Sequence, residues 1–269
     1  MIAPLRLQAA DYVGFVGSES ARFTDLLADV DPTSPVPACP EWDAGDLLWH
    51  LLEVQWFWGS VAGRRLNDPG PAEQDKPERP GDHPGLVALA RQSTDRLVSA
   101  LLEGDASDPI WTWLEQDQTR GFIQRRQAHE ALIHRVDAEQ VAGAASPLDA
   151  PLATDGVDEA LRIMFGGTPG WGTFHWGAGP VAVAATDTGA RWVTEVGRVT
   201  GTDPEGDAID EPSLEVHDGR AADPVAQLSG HAAVLDSWLW GRLPTSAVDR
   251  SGDAGALAAF DAVVGTGVQ

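Results

Sequence analysis

Cysteine, lysine and long apolar runs are nearly absent from this chain. Its single cysteine, Cys39, cannot close an intrachain disulfide, so a cysteine-stapled scaffold is excluded. At 269 residues the chain is long enough to bury a core without one. No window of about 18 residues is continuously apolar, which argues against a bilayer-spanning helix. The opening MIAPLRLQAADY has neither the basic stretch nor the apolar run of a secretion signal, so the cytoplasm is the expected location. Basic side chains are scarce as well: Lys plus Arg number 18 against 41 Asp plus Glu, a formal charge of −23. Such a surface would repel duplex phosphates, and a nucleic-acid partner is not expected. The excess is no tail, because residues 1–150 carry 24 acids and 12 bases and residues 151–269 carry 17 and 6. No phosphate-binding glycine motif is present, and no internal repeat marks a solenoid.

What is present is a globular composition, 43% hydrophobic and 22% charged, with helical periodicity in the first half. Tyr12, Phe15, Val16, Phe23, Leu26, Leu27 and Val30 recur at helical spacing until Asp31-Pro32 stops the pattern. The segment from Thr33 to Trp42 is proline-rich and aperiodic. Asp43 then stands as an N-cap with Asp46 in the capping-box position, and a second helix runs through Leu47, Leu48, Leu51, Leu52, Val54, Phe57 and Trp58 with His50 inside it. Residues 67–85 are rich in proline and glycine and read as a solvated loop. A third helix is expected from about Leu86 to Leu102, an irregular segment with Trp111 and Trp113 packed on the bundle follows, and a fourth helix spans about Gly121 to Val141. Four long helices with polar connections imply a bundle.

The second half reads differently. A short helix at Asp155–Met164 leads into GGTPGWGTFHWGAGP, where helical periodicity ends. Val181–Thr186 and Arg191–Val196 flank Asp187-Thr188-Gly189-Ala190 as a β-hairpin, strands follow at Ser213–His217 and Val225–Ser229, and helices at about His231–Trp240 and Asp253–Val263 complete an α+β domain. The two-domain α+β reading divides the chain into residues 1–155 and 156–269.

The segment RRQAHEALIHRVDAE, residues 125–139, carries the chemistry. At about 100° per residue, Glu130, His134 and Asp137 fall within roughly 60° of one another on a helix, while His129 points elsewhere. Two histidines five apart do not make a zincin motif. Glu130 and His134 at i, i+4 could chelate a divalent ion, with His50 as third ligand, leaving the open position of catalytic zinc sites; Fe²⁺ would also suit two histidines and a carboxylate. Asp137 could orient the imidazole. Spacing alone leaves a second reading open, since such pairs on exposed helices are usually only solvated. Arg125, Arg126 and Arg135 read as ion-pair partners of the many acids, Cys39 as a loop thiol, and the acid-rich stretch Asp203–Glu211 as a solvated loop. Trp49, Trp56 and Trp58 could line a cleft near His50.

CPEWDAGDLLWHLLE (39–53), RRQAHEALIHRVDAE (125–139) and DGVDEAL (155–161) together resemble the maleylpyruvate isomerase family of mycothiol-dependent enzymes. The resemblance implies a DinB-like four-helix bundle in residues 1–155 and a smaller C-terminal α+β domain similar to sterol carrier folds in residues 156–269. It places the family's metal-site pattern on His50, Glu130 and His134, and the catalytic arginine that reaches from the C-terminal domain toward the metal cleft on Arg242 in WLWGRLP (238–244), a residue whose position by itself also reads as a surface or helix C-terminal arginine. It implies a divalent metal, zinc foremost, and mycothiol as the thiol partner of a small-molecule substrate. A thiolate would add to an activated carbon–carbon double bond and leave again in an isomerase, or remain on the product in an S-transferase. The arginine bias, with Lys76 the sole lysine, suits a GC-rich bacterial host. Other readings remain: a non-catalytic protein that keeps the metal for stability or holds an apolar ligand, or a thiol-independent metal-dependent hydrolase.

Overall fold

The computed structural model describes residues 6–217 and 223–267. They form an α+β structure of two compact units, Leu7–Ser146 and a second running from Pro147 onward.

The first unit is built on four long helices, α1 (Ala9–Ala28), α2 (Ala44–Arg64), α4 (His83–Leu102) and α5 (Arg120–Ala142); between α2 and α4 lies the short α3 (Gly70–Gln74). α1 and α2 each pack on both α4 and α5, which closes the bundle. Phe23 and Leu27 of α1, Leu47, Leu48, Leu51 and Leu52 of α2, and Leu86 and Val87 of α4 share one core. Truncating any of these leucines to alanine costs about 2–5 kcal/mol in a core packed this closely.

Local chemistry sets where α2 begins. Asp43 accepts from the Asp46 amide at 2.8 Å, and Asp46 reaches back to the Asp43 amide. Arg79 donates to Asp46 at 2.7 Å and ties the following loop to this cap. The proline-rich segment ahead of it is not shapeless: β1 (Pro35–Val36) and β2 (Cys39–Asp43) pair antiparallel. A two-residue strand is too short to leave a periodicity, but its ladder delivers Trp42 to the start of α2. The 67–85 loop similarly contains α3, whose Ala72 is buried, because proline is tolerated in a first helical turn.

α5 starts at Thr119, whose hydroxyl accepts from the Phe122 amide, and ends at Gly143, which takes the left-handed conformation (φ +63°) that closes the helix. It is buried on nearly every side although half its residues are polar. Arg120 donates to the Ala100 carbonyl, and Arg135 pairs with Glu139 at 3.0 Å and Glu19 at 2.5 Å. Arg126 and Arg135 are thus ion-paired, as their surroundings in sequence suggested, but inside the fold, where an unpaired charge would be costly.

The second unit opens with α6 (Ala150–Glu159), which continues as a wide π-type turn over Ala160–Met164. A five-stranded sheet follows, in the order β5-β4-β3-β6-β7, from β3 (Gly172–Ala185), β4 (Arg191–Thr202), β5 (Ala208–Val216), β6 (Ala226–Gly230) and β7 (Asp249–Gly252). Only the β3–β6 pairing is parallel. α7 (Ala232–Leu239) and α8 (Ala254–Val264) complete the unit. The expected hairpin forms, with Val181 opposite Thr194 and Gly189 in the turn at φ +74°.

Four details depart from the sequence reading. β3 begins inside the glycine-rich stretch, because Gly197 on β4 has no Cβ to strike the His175 carbonyl, 2.0 Å from where one would stand. β7 is four mostly exposed residues with no alternation to betray it. β5 starts within the acid-rich stretch, where Asp210 pairs with Arg198 at 2.6 Å. α6 starts at Ala150 rather than Asp155, capped by Asp149. The 155/156 division would therefore cut α6, whose Ala153 and Val157 pack with Val183, Trp192, Leu235 and Phe260 in the second core. Among the described residues no helix is long and apolar enough to cross a membrane.

Candidate metal centre

His50 lies on α2, two turns after the Asp43 cap, and Glu130 and His134 lie one turn apart on α5. The α2–α5 contact brings the three together. His50 Nε2 stands 3.4 Å from Glu130 Oε1, and His134 Nε2 stands 3.2 Å from the same oxygen. One donor atom from each residue lies within 4.8 Å of the others, and among the described residues this is the one cluster of at least three His, Cys, Asp or Glu groups so placed. The cluster is graded in depth: the His134 side chain is 8% exposed, Glu130 17% and His50 30%. Its His50 side is the one open to solvent.

Two of the three side chains have their far ends held. Asp137, fully buried, lies 2.9 Å from His134 Nδ1. A proton on Nδ1 satisfies that carboxylate and leaves the Nε2 lone pair facing Glu130. Arg126 donates to Glu130 Oε2 at 3.0 Å, leaving Oε1 for the two histidines. The Trp42 ring lies 4.7 Å from that of His50 and 6.4 Å from that of His134.

An imidazole nitrogen facing a carboxylate oxygen must either donate an N–H to it or share a metal with it. Without a metal, the surroundings of His134 favour its protonated form. Burial opposes a charge on His134, but hydrogen bonds to Asp137 and Glu130 and the charges of both lift its pKa to about 9. Burial alone would raise the Glu130 carboxyl; hydrogen bonds from His134 and His50, reinforced by the charges of His134 and Arg126, hold it well below the usual carboxylate value. The spacing about Glu130 Oε1 also matches that between the ligand atoms of a metal ion. Bonds of about 2.0–2.1 Å at tetrahedral angles separate ligand atoms by about 3.3 Å, close to the two separations from Glu130 Oε1. Two histidines and one carboxylate are a donor set suited to zinc and other first-row divalent ions.

Each of the remaining sequence candidates has its own surroundings. His129 is buried with its ring edge-on to Tyr12, 6.2 Å away. Cys39 is half-buried in β2. Trp56 and Trp58 do line a hollow, of about 200 Å³, but with Glu53, Val54, Phe57, Ala72, Glu73 and Lys76 rather than with the histidines. Trp49 packs partly buried against the bundle core. The tryptophan at the centre is Trp42, hidden from periodicity by the prolines around it. Arg126 forms the ion pair that its sequence suggests, and its i, i+4 spacing to Glu130 is the signal that it holds that carboxylate. Arg242 follows α7 in the second unit, half-buried, its guanidinium donating to the Trp240 carbonyl at 2.5 Å.

Residues 16–139 match the family described as the mycothiol maleylpyruvate isomerase N-terminal domain. Two solved structures are similar over 94% of this chain and 98% of theirs: a mycothiol-dependent maleylpyruvate isomerase (TM-score 0.60) and a histidine-to-alanine mutant described by the same name (TM-score 0.62). Each is 13% identical to this chain, a likeness of fold. A comparison with curated proteins found no match.

Proposed function

We propose, on the premise that the helical unit belongs to the mycothiol maleylpyruvate isomerase N-terminal domain family, that this chain is a metal-dependent, mycothiol-using enzyme acting on an activated small-molecule substrate. The reaction class is isomerisation or S-transfer. The observation that carries this reading is the convergence of His50, Glu130 and His134, with Asp137 and Arg126 holding the far ends of two of them.

A divalent metal held by His50, Glu130 and His134, zinc by preference, would supply the Lewis acidity that lowers the pKa of a bound thiol toward neutral pH. The chain's own contributions are distinct. Asp137 keeps the Nε2 lone pair of His134 directed at the centre, and Glu130 brings one negative charge to offset the cation. His50, the most exposed of the three, stands on the side from which small molecules enter. Arg242 is assigned the anionic end of the substrate, a role that a planar guanidinium suits.

Elemental analysis of the purified protein, with thermal melts of metal-loaded and metal-stripped forms with and without mycothiol, tests the reading. About one zinc per chain and a metal-dependent stabilisation by the thiol are expected, and His134→Ala should lose the metal. Metal without a thiol response would point to water activation instead. Full metal retention by His134→Ala would place the ion elsewhere.

A further inference from the structure

A carboxylate can hold a metal through one oxygen or two, and the choice decides how much of the coordination sphere the protein fills. Glu130 is not free to choose. Its Oε2 accepts from Arg126 at 3.0 Å, while Oε1 alone faces His50 and His134. The pair is built for permanence. Arg126 is one turn before Glu130 on the same helix, its side chain is only 6% exposed and that of Glu130 17%, so solvent competes poorly for either. Swinging Oε2 toward the cluster would break a charge-assisted hydrogen bond between two largely buried groups.

We propose that Arg126 is a positioning residue that restricts Glu130 to metal binding through Oε1 alone and so keeps coordination positions open for an exogenous ligand. The inference rests on the metal-site reading above and deepens it. With three single-atom ligands from the chain, a four-coordinate ion retains one site for a thiol or water; a two-oxygen Glu130 would occupy it. The ion pair that looks like helix stabilisation then determines whether the centre is a catalytic one or a closed one.

The test substitutes Co²⁺ as the probe metal and compares wild type with Arg126→Gln and Arg126→Lys. The wild-type visible spectrum should be the intense one of a four-coordinate ion, and 2-mercaptoethanol should add a thiolate-to-cobalt charge-transfer band. Arg126→Gln should give the weaker spectrum of a higher-coordinate ion, lose that band, and change Co²⁺ affinity by roughly 10–100-fold. Arg126→Lys, which keeps a cationic donor for Oε2, should restore the four-coordinate spectrum at least in part. An unchanged spectrum, thiol response and affinity in Arg126→Gln would overturn the proposal. Should that variant fold poorly, the metal-loaded minus metal-free infrared difference spectrum of the wild type decides: a wide splitting of the carboxylate stretches is expected, and the narrow splitting of a two-oxygen carboxylate overturns the assignment. Failure of wild type to bind Co²⁺ at all would instead sink the metal-site reading on which this one rests.

Discussion

Metal binding at this centre must expel a proton, and the amount is calculable. In the metal-free chain the His134 imidazolium, held between Asp137 and Glu130, has a pKa of about 9. At pH 7 roughly 99 chains in 100 are therefore protonated there, and removing the proton costs about 3 kcal/mol. Glu130 is already ionised at that pH and releases nothing. Titration calorimetry with zinc at pH 7, in two buffers of different ionisation enthalpy, should report about one proton released from His134 per metal bound. The apparent dissociation constant should fall about tenfold for each pH unit up to about 8.5 and flatten above 9. Asp137→Asn removes one cause of the raised pKa, so it should release less than a full proton at pH 7 while losing affinity by roughly 10–100-fold through a freed ring. A proton count near zero in the wild type at pH 7, or an affinity independent of pH, would refute the account of His134 as the proton-occupied ligand.

Three further outcomes are expected. The metal-free protein gains stability from the raised His134 pKa below about pH 6.5, and that gain is lost as pH rises through about 9; the lowered Glu130 pKa contributes above about pH 4.5 and is lost in acid. Thermal melts of stripped protein should therefore peak between about pH 4.5 and 6.5 in this contribution, whereas the increment added by zinc should grow with pH. Asp43→Ala removes the side-chain acceptor that starts α2 and should cost about 1 kcal/mol in chemical denaturation. Arg242→Ala should leave metal content and melting temperature unchanged while raising KM for an anionic substrate; equal kinetics would remove Arg242 from the substrate's reach.

Helix positions were open to sequence reading because apolar spacing and caps are local. Asp43, Asp46 and Thr119 satisfy amides within three residues of themselves, so α2 and α5 could be placed with little knowledge of the rest. The candidate ligands shared that advantage, since Glu130, His134 and Asp137 fall on one face by helix geometry alone, and His50 stood inside a second helix as the candidate third ligand, a position the family resemblance also marks. Burial was not legible in the same way. The arginines and acids of α5 carry no apolar stripe that would mark them as interior, yet Arg120, Arg126, Arg135 and Glu139 are all buried. Their partners come from other elements or from one turn away, as when Arg22 of α1 reaches Glu139 at 2.5 Å.

The chain's order of residues determined its charge, its helices and the face on which a carboxylate and an imidazole meet, because these follow from composition and from a repeat of 3.6 residues. Only the tertiary structure decided that His50 comes within 3.4 Å of Glu130, that Trp42 stands beside both histidines, and that one carboxylate oxygen is taken by Arg126 while the other faces the centre. Those are distances between groups far apart in sequence, or choices between two equivalent oxygens. Both are settled by packing, where the cost of an unpaired buried charge selects one arrangement.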